Sequence, residues 1–251
     1  MKISIITVAY NAESTIEGTI RSVAEQDYPD IEYLIIDGAS KDRTLEICDQ
    51  HKDTITTLVS EPDKGIYDAM NKGLARATGD YIGILNADDL YAGPGVISAV
   101  AKKLQQTGAD SLYGDLVMVD PENLDKVVRY YSANNFQLKR FEKGDMPPHP
   151  TFFVRRSIYE KHGHFKTHYK ICADFDIMLR FLYLEKISHT YLPLTMVRMR
   201  TGGVSSVGIK STLVINREIK KALEENGMPT SMLKIYSKYF TKVWQLVRRP
   251  K

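Results

Sequence analysis

Apolar and polar positions alternate along the first hundred residues in a pattern typical of repeated strand and helix pairs. Ile3–Val8 is almost wholly apolar, and Ile16, Ile20 and Val23 then recur at helical spacing. The same alternation continues through Tyr33–Ile36, the stripe Leu45, Ile47 and Cys48, Ile55–Val59, Ile66–Ala77 and Tyr81–Leu85. Strands that are apolar throughout and alternate with helices predict an α/β fold, with a mostly parallel, Rossmann-like central sheet flanked by helices.

The second half of the chain has a less regular pattern. We predict a helix from Pro94 that stops near Gly108, strands at Ser111–Val119, Lys126–Tyr131 and Tyr191–Val197, a helix at Ala173–Glu185, and two helices between Ile209 and Arg248. Ser132–Pro148 carries neither a helical nor a strand pattern and ends in two prolines. We interpret it as a mobile loop over a cleft.

Length and composition indicate one large α/β unit with an appended segment. The chain has 251 residues, of which 43% are apolar and 26% charged, and we place the unit at residues 1–205 and the appended segment at 206–251. The two cysteines have no metal-type spacing, which fits a reducing compartment. No stretch approaches the roughly 18 apolar residues of a membrane span, so we expect a cytoplasmic protein.

The appended segment is basic and amphipathic. Between Lys210 and Lys251 ten basic residues stand against three acidic ones, whereas the net charge of the chain is only +3 and gives no indication of nucleic-acid binding. Apolar residues interleave with these cations at Met232, Leu233, Ile235, Tyr236, Tyr239, Phe240, Val243, Trp244, Leu246 and Val247. Such a helical segment could lie on the inner face of an anionic membrane, pack on its own domain, or join two copies in a homo-oligomer.

Polar residues follow each apolar strand of the first half, at Tyr10-Asn11, Asp37-Gly38, Ser60-Glu61 and Asn86–Asp89. In parallel sheets these strand ends meet at one edge, so we expect them to form a cleft. Asp88 and Asp89 repel one another beside a buried strand, which favours Mg²⁺ or Mn²⁺, although either could cap a turn instead. Asp37 could accept hydrogen bonds from a ribose or cap the next helix.

The segment Asp63–Gly73 has the character of a helix start that faces a ligand. Asp68 and Asn71 lie three residues apart and share a helix face. Gly65 permits close approach of the backbone to a ligand. A binding function is therefore the better interpretation of this segment.

Several ordered motifs together resemble the family 2 glycosyltransferases of the GT-A fold. They are Ile5–Asn11, Asp37–Thr44, Asp63–Gly73 and Ala77–Asp89. The resemblance is close over residues 1–110 and weaker to about 205. It implies a nucleotide-binding half at 1–110, an acceptor half at 111–205, and an enzyme similar to those that build bacterial surface polysaccharides.

The resemblance also implies roles for individual residues. Those expected to bind the nucleotide-sugar are Val8, Ala9, Tyr10, Glu13, Asp37, Asp63, Lys64, Asp68, Asn71 and Asp88, the last near the ribose. Asp89 would bind the metal, Mn²⁺ or Mg²⁺. Asn86 stands where many relatives have the first acid of a DxD triplet, so the triplet itself is incomplete.

The catalytic base implied by the resemblance is Asp174. The family has a Glu-Asp dipeptide at the start of a helix, and here Ala173 replaces its Glu while Asp174 matches its Asp. An inverting transfer needs a carboxylate to take the proton of the acceptor hydroxyl. Alternatively, Asp174 has only a structural role as a helix cap. His149, after the loop, could approach the diphosphate, the metal or the acceptor. Arg198 or Arg200, with Thr201-Gly202-Gly203, resembles a late family segment that closes over the donor, although it could be only a glycine-rich turn.

The expected activity is inverting, metal-dependent transfer of a hexosyl or N-acetylhexosaminyl group. The donor would be a nucleotide-diphosphate sugar, with a UDP-sugar favoured, and the acceptor a hydroxyl of a saccharide or lipid-linked saccharide. A nucleotidyltransferase and a non-catalytic nucleotide-sugar-binding module are the alternatives. Neither a GxGxxG turn after the first strand nor a P-loop is present in the sequence.

Overall fold

The computed structural model describes residues 1–202 and 208–237. Within these ranges nine strands form one sheet in the order β3-β2-β1-β4-β8-β6-β9-β5, with β7 paired to β6 outside this path. The strands are β1 Ile3–Ala9, β2 Ile31–Asp37, β3 Thr57–Ser60, β4 Tyr81–Ile84, β5 Asp89–Tyr91, β6 Ser111–Val119, β7 Val127–Tyr131, β8 Phe153–Arg155 and β9 His189–Arg200.

The helices follow the strands closely in the first half of the chain. They are α1 Ile16–Ala24, α2 Thr44–Gln50, α3 Ile66–Leu74, α4 Val96–Thr107, α5 Arg156–His162, α6 Ala173–Met178 and α7 Gly208–Glu225. A π-helical turn at Leu179–Leu184 continues α6, and residues 232–237 are also helical. Helix α4 ends as predicted at Gly108, whose φ of 64° is the left-handed conformation that favours glycine at a helix end.

The sheet is parallel at one end and mixed at the other. Strands β3, β2, β1 and β4 run parallel to one another, which confirms the strand and helix alternation predicted from the sequence. Beyond β4 the sheet is mixed, because β8 runs antiparallel to both β4 and β6, while β6 and β9 are parallel. The carboxyl ends of β1, β2 and β4 therefore lie at one edge, as the cleft requires.

Both faces of the sheet are buried, which explains the unbroken apolar run of β1. Ile3 and Ile5 belong to the apolar cluster on one face, and Ile6 and Val8 belong to the cluster on the other. Helix α3 lies so close to β1 that a Cβ on Gly73 would stand 2.5 Å from Cγ2 of Ile6. This close approach packs the last turn of α3 against the middle of β1.

Residues 132–148 are more ordered than the sequence pattern predicts. A 3₁₀ helix spans Leu138–Lys143, where we expected neither helix nor strand. Phe141 in this helix is fully buried and its ring contacts those of Phe175 and Tyr183, and Arg140 forms an ion pair with Asp145. The prediction was wrong here because a single buried aromatic residue anchors the segment without any periodic pattern.

The described part of the C-terminal segment packs on the rest of the chain. Ile219, Ala222 and Leu223 of α7 and Ile235 beyond it are buried in the same cluster as α6, whereas Leu233 is 84% exposed. The predicted apolar positions from Tyr239 to Val247 lie outside the described residues. Among the helices within 1–202 and 208–237, none is both long enough and apolar enough to cross a membrane.

Candidate active site

A cleft of about 620 Å³ opens at the carboxyl ends of β1 and β4, between α3 and the start of α6. It brings together many of the residues singled out in the sequence, namely Val8, Ala9, Tyr10, Asp63, Asp88, Asp89, His149, Asp174 and Arg200. The predicted convergence is therefore present for Tyr10-Asn11 and Asn86–Asp89, whereas Asp37-Gly38 and Ser60-Glu61 do not line the cleft. A cleft of this size is in the range that accommodates a small-molecule ligand.

The strand-end pair Asp88 and Asp89 lines this cleft. Asp89 is 1% exposed, and neither of its carboxylate oxygens has a hydrogen-bond partner among the described residues, although Asn86 and the backbone of Arg200 face it. Burial, and then the charge of Asp88, raise the pKa of Asp89 well above its usual value, while Arg200 opposes this rise. Within the described part of the chain, Arg200 therefore offsets the cost of burying this carboxylate only in part.

This environment fits a divalent cation. The side-chain oxygen of Asn86 is also buried without a partner, so three oxygen atoms of two neighbouring residues lack a hydrogen-bond donor. Hard oxygen ligands of this kind are those that Mg²⁺ and Mn²⁺ prefer. No group of three or more His, Cys, Asp or Glu side chains suited to a metal occurs in the described part of the chain, so any ion here needs further ligands from a bound molecule or water.

Asp174 lies on the opposite wall of the cleft, in the first turn of α6. Burial raises the pKa of its carboxyl group to about 7, against the hydrogen bond from the backbone N–H of Phe175 to its Oδ1 at 2.7 Å. A carboxylate with a pKa near neutrality is suited to take a proton from a substrate. The Asp174 side chain thus has both the location and the acidity of a general base.

The side chains around Asp174 include a tyrosine and a buried histidine. Tyr67 of α3 lies beside it and donates a hydrogen bond to the carbonyl oxygen of Ile171. His149 is buried, with its ring edge-on to Phe165, and burial lowers its pKa to about 4, so it is neutral at pH 7. A neutral imidazole can contact a sugar or an acceptor but adds no charge to the cleft.

Asp37 and Glu13 do not line the cleft. Asp37 is fully buried at the end of β2, where it accepts hydrogen bonds from the N–H of Ser40 at 3.0 Å and from the hydroxyl groups of Ser40 and Ser60. Glu13 accepts a hydrogen bond from the N–H of Arg43 at 3.0 Å. Both side chains therefore shape the loops behind Tyr10, and direct contact with a nucleotide stays a prediction for each.

Part of the Asp63–Gly73 segment lines the cleft, and part of it lies outside. Asp63 lines the cleft, accepts a hydrogen bond from the N–H of Gly65 at 2.8 Å, and lies so close to Gly38 that a Cβ there would collide with it. Asp68 lies outside the cleft and accepts a hydrogen bond from the N–H of Lys64 at 3.0 Å. Gly65, with a φ of 113°, allows the turn between them.

Asn71 also lies outside the cleft, and its contribution to binding stays a prediction, as do those of Lys64 and Asp68. Its amide group is hydrogen-bonded to the backbone of Phe165. Of the two arginines considered at the end of β9, Arg200 is the one on the cleft, and it donates a hydrogen bond to the carbonyl oxygen of Asp88. Arg198 forms an ion pair with Asp125 at 3.3 Å instead.

Two features of the site were not found by reasoning from the sequence. Lys170 and Ile171 line the cleft just before Asp174, from a segment without a helical or strand pattern. Glu218 of α7 accepts hydrogen bonds from the backbone of that segment. Ile171 and Glu218 are 47 positions apart, and no sequence pattern indicates their contact, because it depends on how α7 packs on α6.

Comparison with known sequences identifies a family for most of the chain. Residues 4–163, more than half of the chain, match the family model of glycosyl transferase family 2. An uncharacterized glycosyltransferase of Mycobacterium tuberculosis is 32% identical over 180 residues, which are 71% of this chain and 68% of that protein. The sequence resemblance and the family match therefore agree.

Comparison with solved structures identifies the fold. TarS 1–349 of S. aureus in complex with UDP-GlcNAc is 19% identical, with a TM-score of 0.71, over 89% of this chain and 66% of that chain. The mannosyltransferase PcManGT of Pyrobaculum calidifontis, in complex with GDP-Man and Mn²⁺, is 17% identical, with a TM-score of 0.63, over 98% of this chain and 80% of that chain. The predicted GT-A fold is confirmed by these likenesses, and the chain spans slightly less than two thirds of the TarS structure.

Proposed function

Because this chain belongs to glycosyl transferase family 2, we propose that it transfers a sugar from a nucleotide-diphosphate sugar to an acceptor hydroxyl, with inversion at the anomeric carbon. One observation carries the proposal. The Asp88 and Asp89 pair and the Asp174 carboxylate, whose pKa is raised to about 7, line a single cleft from different walls. A leaving diphosphate and an attacking hydroxyl need these two groups on different sides of the reacting carbon.

The donor would lie along the ends of β1 and β4. Tyr10 is 64% exposed at the rim of the cleft, where its ring can stack on a base, and Asp63 and Asp88 offer acceptors for base or ribose hydrogen bonds. We favour a UDP-sugar with a hexosyl or N-acetylhexosaminyl group. The complexes of TarS with UDP-GlcNAc and of PcManGT with GDP-Man support these two sugar classes for neighbours of the same fold.

The metal proposed here is Mn²⁺ or Mg²⁺, held by Asp89 with help from Asp88. The uncompensated oxygens of Asp89 and Asn86 support this assignment, and oxygens of the donor diphosphate with water would complete the ligand set. When bound, such an ion supplies positive charge that stabilises the leaving nucleotide diphosphate. Arg200, which interacts with both Asp88 and Asp89, would hold the pair in place during exchange of the donor.

Asp174 would act on the acceptor. The acceptor oxygen forms its bond to the anomeric carbon as the bond from that carbon to the diphosphate oxygen breaks, the electron pair leaves with the nucleotide, and the hydroxyl proton passes to Asp174. The hydrogen bond from the N–H of Phe175 holds one carboxylate oxygen, so the other remains available for this proton. The attack on the face opposite the leaving group gives inversion.

The acceptor would enter between His149 and Lys170, on the side of the cleft formed by residues 111–205. We propose a saccharide or lipid-linked saccharide as the acceptor, and residues 1–110 as the nucleotide-binding half. We propose a cytoplasmic location, which fits the two cysteines, Cys48 and Cys172, because both are buried and form no disulfide with each other. The basic segment 206–251 is the proposed site of any contact with a membrane or a second copy.

The proposal is tested by incubating the purified protein with Mn²⁺ and a panel of nucleotide-sugars, including UDP-GlcNAc, UDP-Glc and GDP-Man. Binding is measured by calorimetry and slow hydrolysis by release of the nucleotide diphosphate. We expect at least one donor to bind with Mn²⁺ and to lose binding in EDTA. Failure of every donor to bind in a metal-dependent way would overturn the proposal.

A further inference from the structure

Helix α7 docks against the segment that carries Asp174. Its Glu225 accepts a hydrogen bond from the hydroxyl of Tyr169 at 2.6 Å, and Asn226 just beyond the helix donates one to the carboxylate of Asp176 at 2.8 Å. These contacts lie on both sides of Asp174 in sequence. The C-terminal helix therefore supports the whole segment that faces the acceptor side of the cleft.

One carboxylate of α7 collects three backbone donors from this segment. Glu218 accepts hydrogen bonds from consecutive N–H groups, those of Lys170 at 2.8 Å, Ile171 at 2.9 Å and Cys172 at 3.0 Å. Hydrogen bonds to a charged acceptor are roughly twice as strong as neutral ones. Three such bonds to successive residues fix the path of the backbone directly before α6.

The same backbone is held from the opposite side by α3. Tyr67 donates a hydrogen bond to the carbonyl oxygen of Ile171, whose N–H is bound to Glu218. Ile171 thus has both of its backbone groups bound, one by each helix. Asp174 follows three residues later, so its carboxylate depends on this clamp for its place in the cleft.

We propose that Glu218 is a positioning residue for Asp174, which makes α7 part of the apparatus of transfer although it lies beyond the family-matched residues 4–163. The inference rests on the proposed role of Asp174 as the base. Glu218 touches neither donor nor acceptor in this view, since it is not among the residues that line the cleft. It acts only through the backbone of residues 170–172.

The negative charge of Glu218 should also affect the pKa of Asp174, which a purely structural role would not do. Burial is the largest cause of the raised pKa of Asp174, and the negative charge of Glu218 raises it further. The other titratable groups that face Asp174 or line its cleft are left in place by a change at Glu218, namely Tyr10, Asp63, Tyr67, Asp88, Asp89, Tyr131, His149, Lys170 and Arg200. Loss of the Glu218 charge should therefore move the acidic limb of the pH profile to lower pH.

The test uses the full chain with the substitutions Glu218→Gln and Glu218→Ala. Gln keeps the shape and one acceptor oxygen but loses the charge, and Ala loses all three hydrogen bonds. Glu224→Gln is the matched control, because Glu224 lies on the same helix and its exposed side chain forms an ion pair with Lys220. For each variant we would measure kcat, donor Kd by calorimetry, the pH dependence of kcat/KM and the melting temperature.

We expect kcat to fall about tenfold in Glu218→Gln and up to about a hundredfold in Glu218→Ala, the scale of a misplaced reacting group. Donor Kd should stay within about twofold of the wild type, the acidic limb should shift to lower pH in Glu218→Gln, and Glu224→Gln should match the wild type. Unchanged kcat and an unmoved acidic limb in folded Glu218→Gln would overturn the inference. If Asp174→Asn also left transfer unchanged, the proposed function of Asp174 would fail instead.

Discussion

The side-chain amide of Asn71 forms two hydrogen bonds with the backbone of Phe165, donating to its carbonyl oxygen at 2.8 Å and accepting from its N–H at 3.0 Å. The two residues are 94 positions apart in the chain. The pair joins α3, which borders the donor side of the cleft, to the segment that leads into α6. The ring of Phe165 also stacks on Tyr67 of α3, with 5.8 Å between ring centroids.

Substitution of this residue should lower the stability of the fold. Asn71→Ala leaves the N–H and the carbonyl of Phe165 without partners, and we expect it to reduce the free energy of unfolding by roughly 1–3 kcal/mol. Chemical denaturation measures the loss, and Asn123→Ala in an exposed turn is the control. An unchanged unfolding free energy would contradict this expectation. Donor Kd in the same variant tests separately whether Asn71 contacts the nucleotide-sugar.

Removal of the buried carboxylate at the start of β5 should affect stability and function in opposite directions. Asp89→Asn removes a carboxylate that is 1% exposed and has no hydrogen-bond partner among the described residues, so we expect the metal-free protein to gain roughly 1–3 kcal/mol in unfolding free energy. The same change should abolish the Mn²⁺-dependent part of donor binding. Melting curves in EDTA and calorimetry with Mn²⁺ measure the two effects, and a variant that bound donor as tightly as the wild type would rule out Asp89 as the metal ligand.

Transfer should depend on the ionisation of Asp174. The base acts only when deprotonated, and its pKa is raised to about 7, so kcat/KM should fall about tenfold for each unit of pH below that value. Asp174→Asn should lower transfer by roughly 10²–10⁴-fold and leave donor Kd within about twofold. Asp120→Asn, between β6 and β7, where Asp120 forms an ion pair with Lys126, is the control. Transfer at the wild-type rate in Asp174→Asn would eliminate this residue as the base.

Glu32 should make the fold sensitive to acid. Burial alone would raise its pKa, but hydrogen bonds from Ser4 at 2.5 Å and from the N–H and hydroxyl of Thr78, together with Lys2, lower it to about 2. A carboxyl group with a lowered pKa stabilises the fold above its usual pKa of 4.5, and this contribution is lost as the pH falls towards 2.

The matched substitution for this effect is Glu32→Gln. At pH 6 we expect it to reduce the free energy of unfolding by roughly 2–3 kcal/mol, and the difference from the wild type should shrink as the pH falls from 4.5 to 3. Urea denaturation at a series of pH values measures this. A difference that did not change with pH would show that packing, and not the charge, accounts for the loss.

The parts of the fold that the sequence predicted are those governed by local pattern. Strand β1 is apolar throughout because both faces of the sheet are covered. Helix α4 ends at Gly108 because the backbone adopts a left-handed conformation there, which favours glycine. The antiparallel pairing of β8 with β4 and β6 could not be predicted from local pattern. It depends on how a distant three-residue strand inserts between them, and three residues carry too little pattern to indicate direction.

The candidate site shows the same division. Asp88, Asp89 and Tyr10 follow apolar strands, so their place on the cleft could be predicted from the strand ends alone. The place of Lys170 on the cleft could not be predicted, because Lys170 lies in a segment without periodicity. The contact of Glu218 with that segment could not be predicted either, because tertiary packing sets where its helix docks. Side chains that act on the backbone of a distant segment leave no motif.

The Asp88 and Asp89 pair at the start of β5 has a consequence for how ligands occupy the cleft. Two carboxylates supply too few ligands to retain a divalent ion against dilution, so under the proposed function the ion and the donor raise each other's affinity by the same factor. Occupancy would then follow the supply of nucleotide-sugar wherever the concentration of free Mg²⁺ is nearly constant. The product diphosphate carries the same ligands as the donor, so it would compete for the cleft most strongly when the ion is abundant.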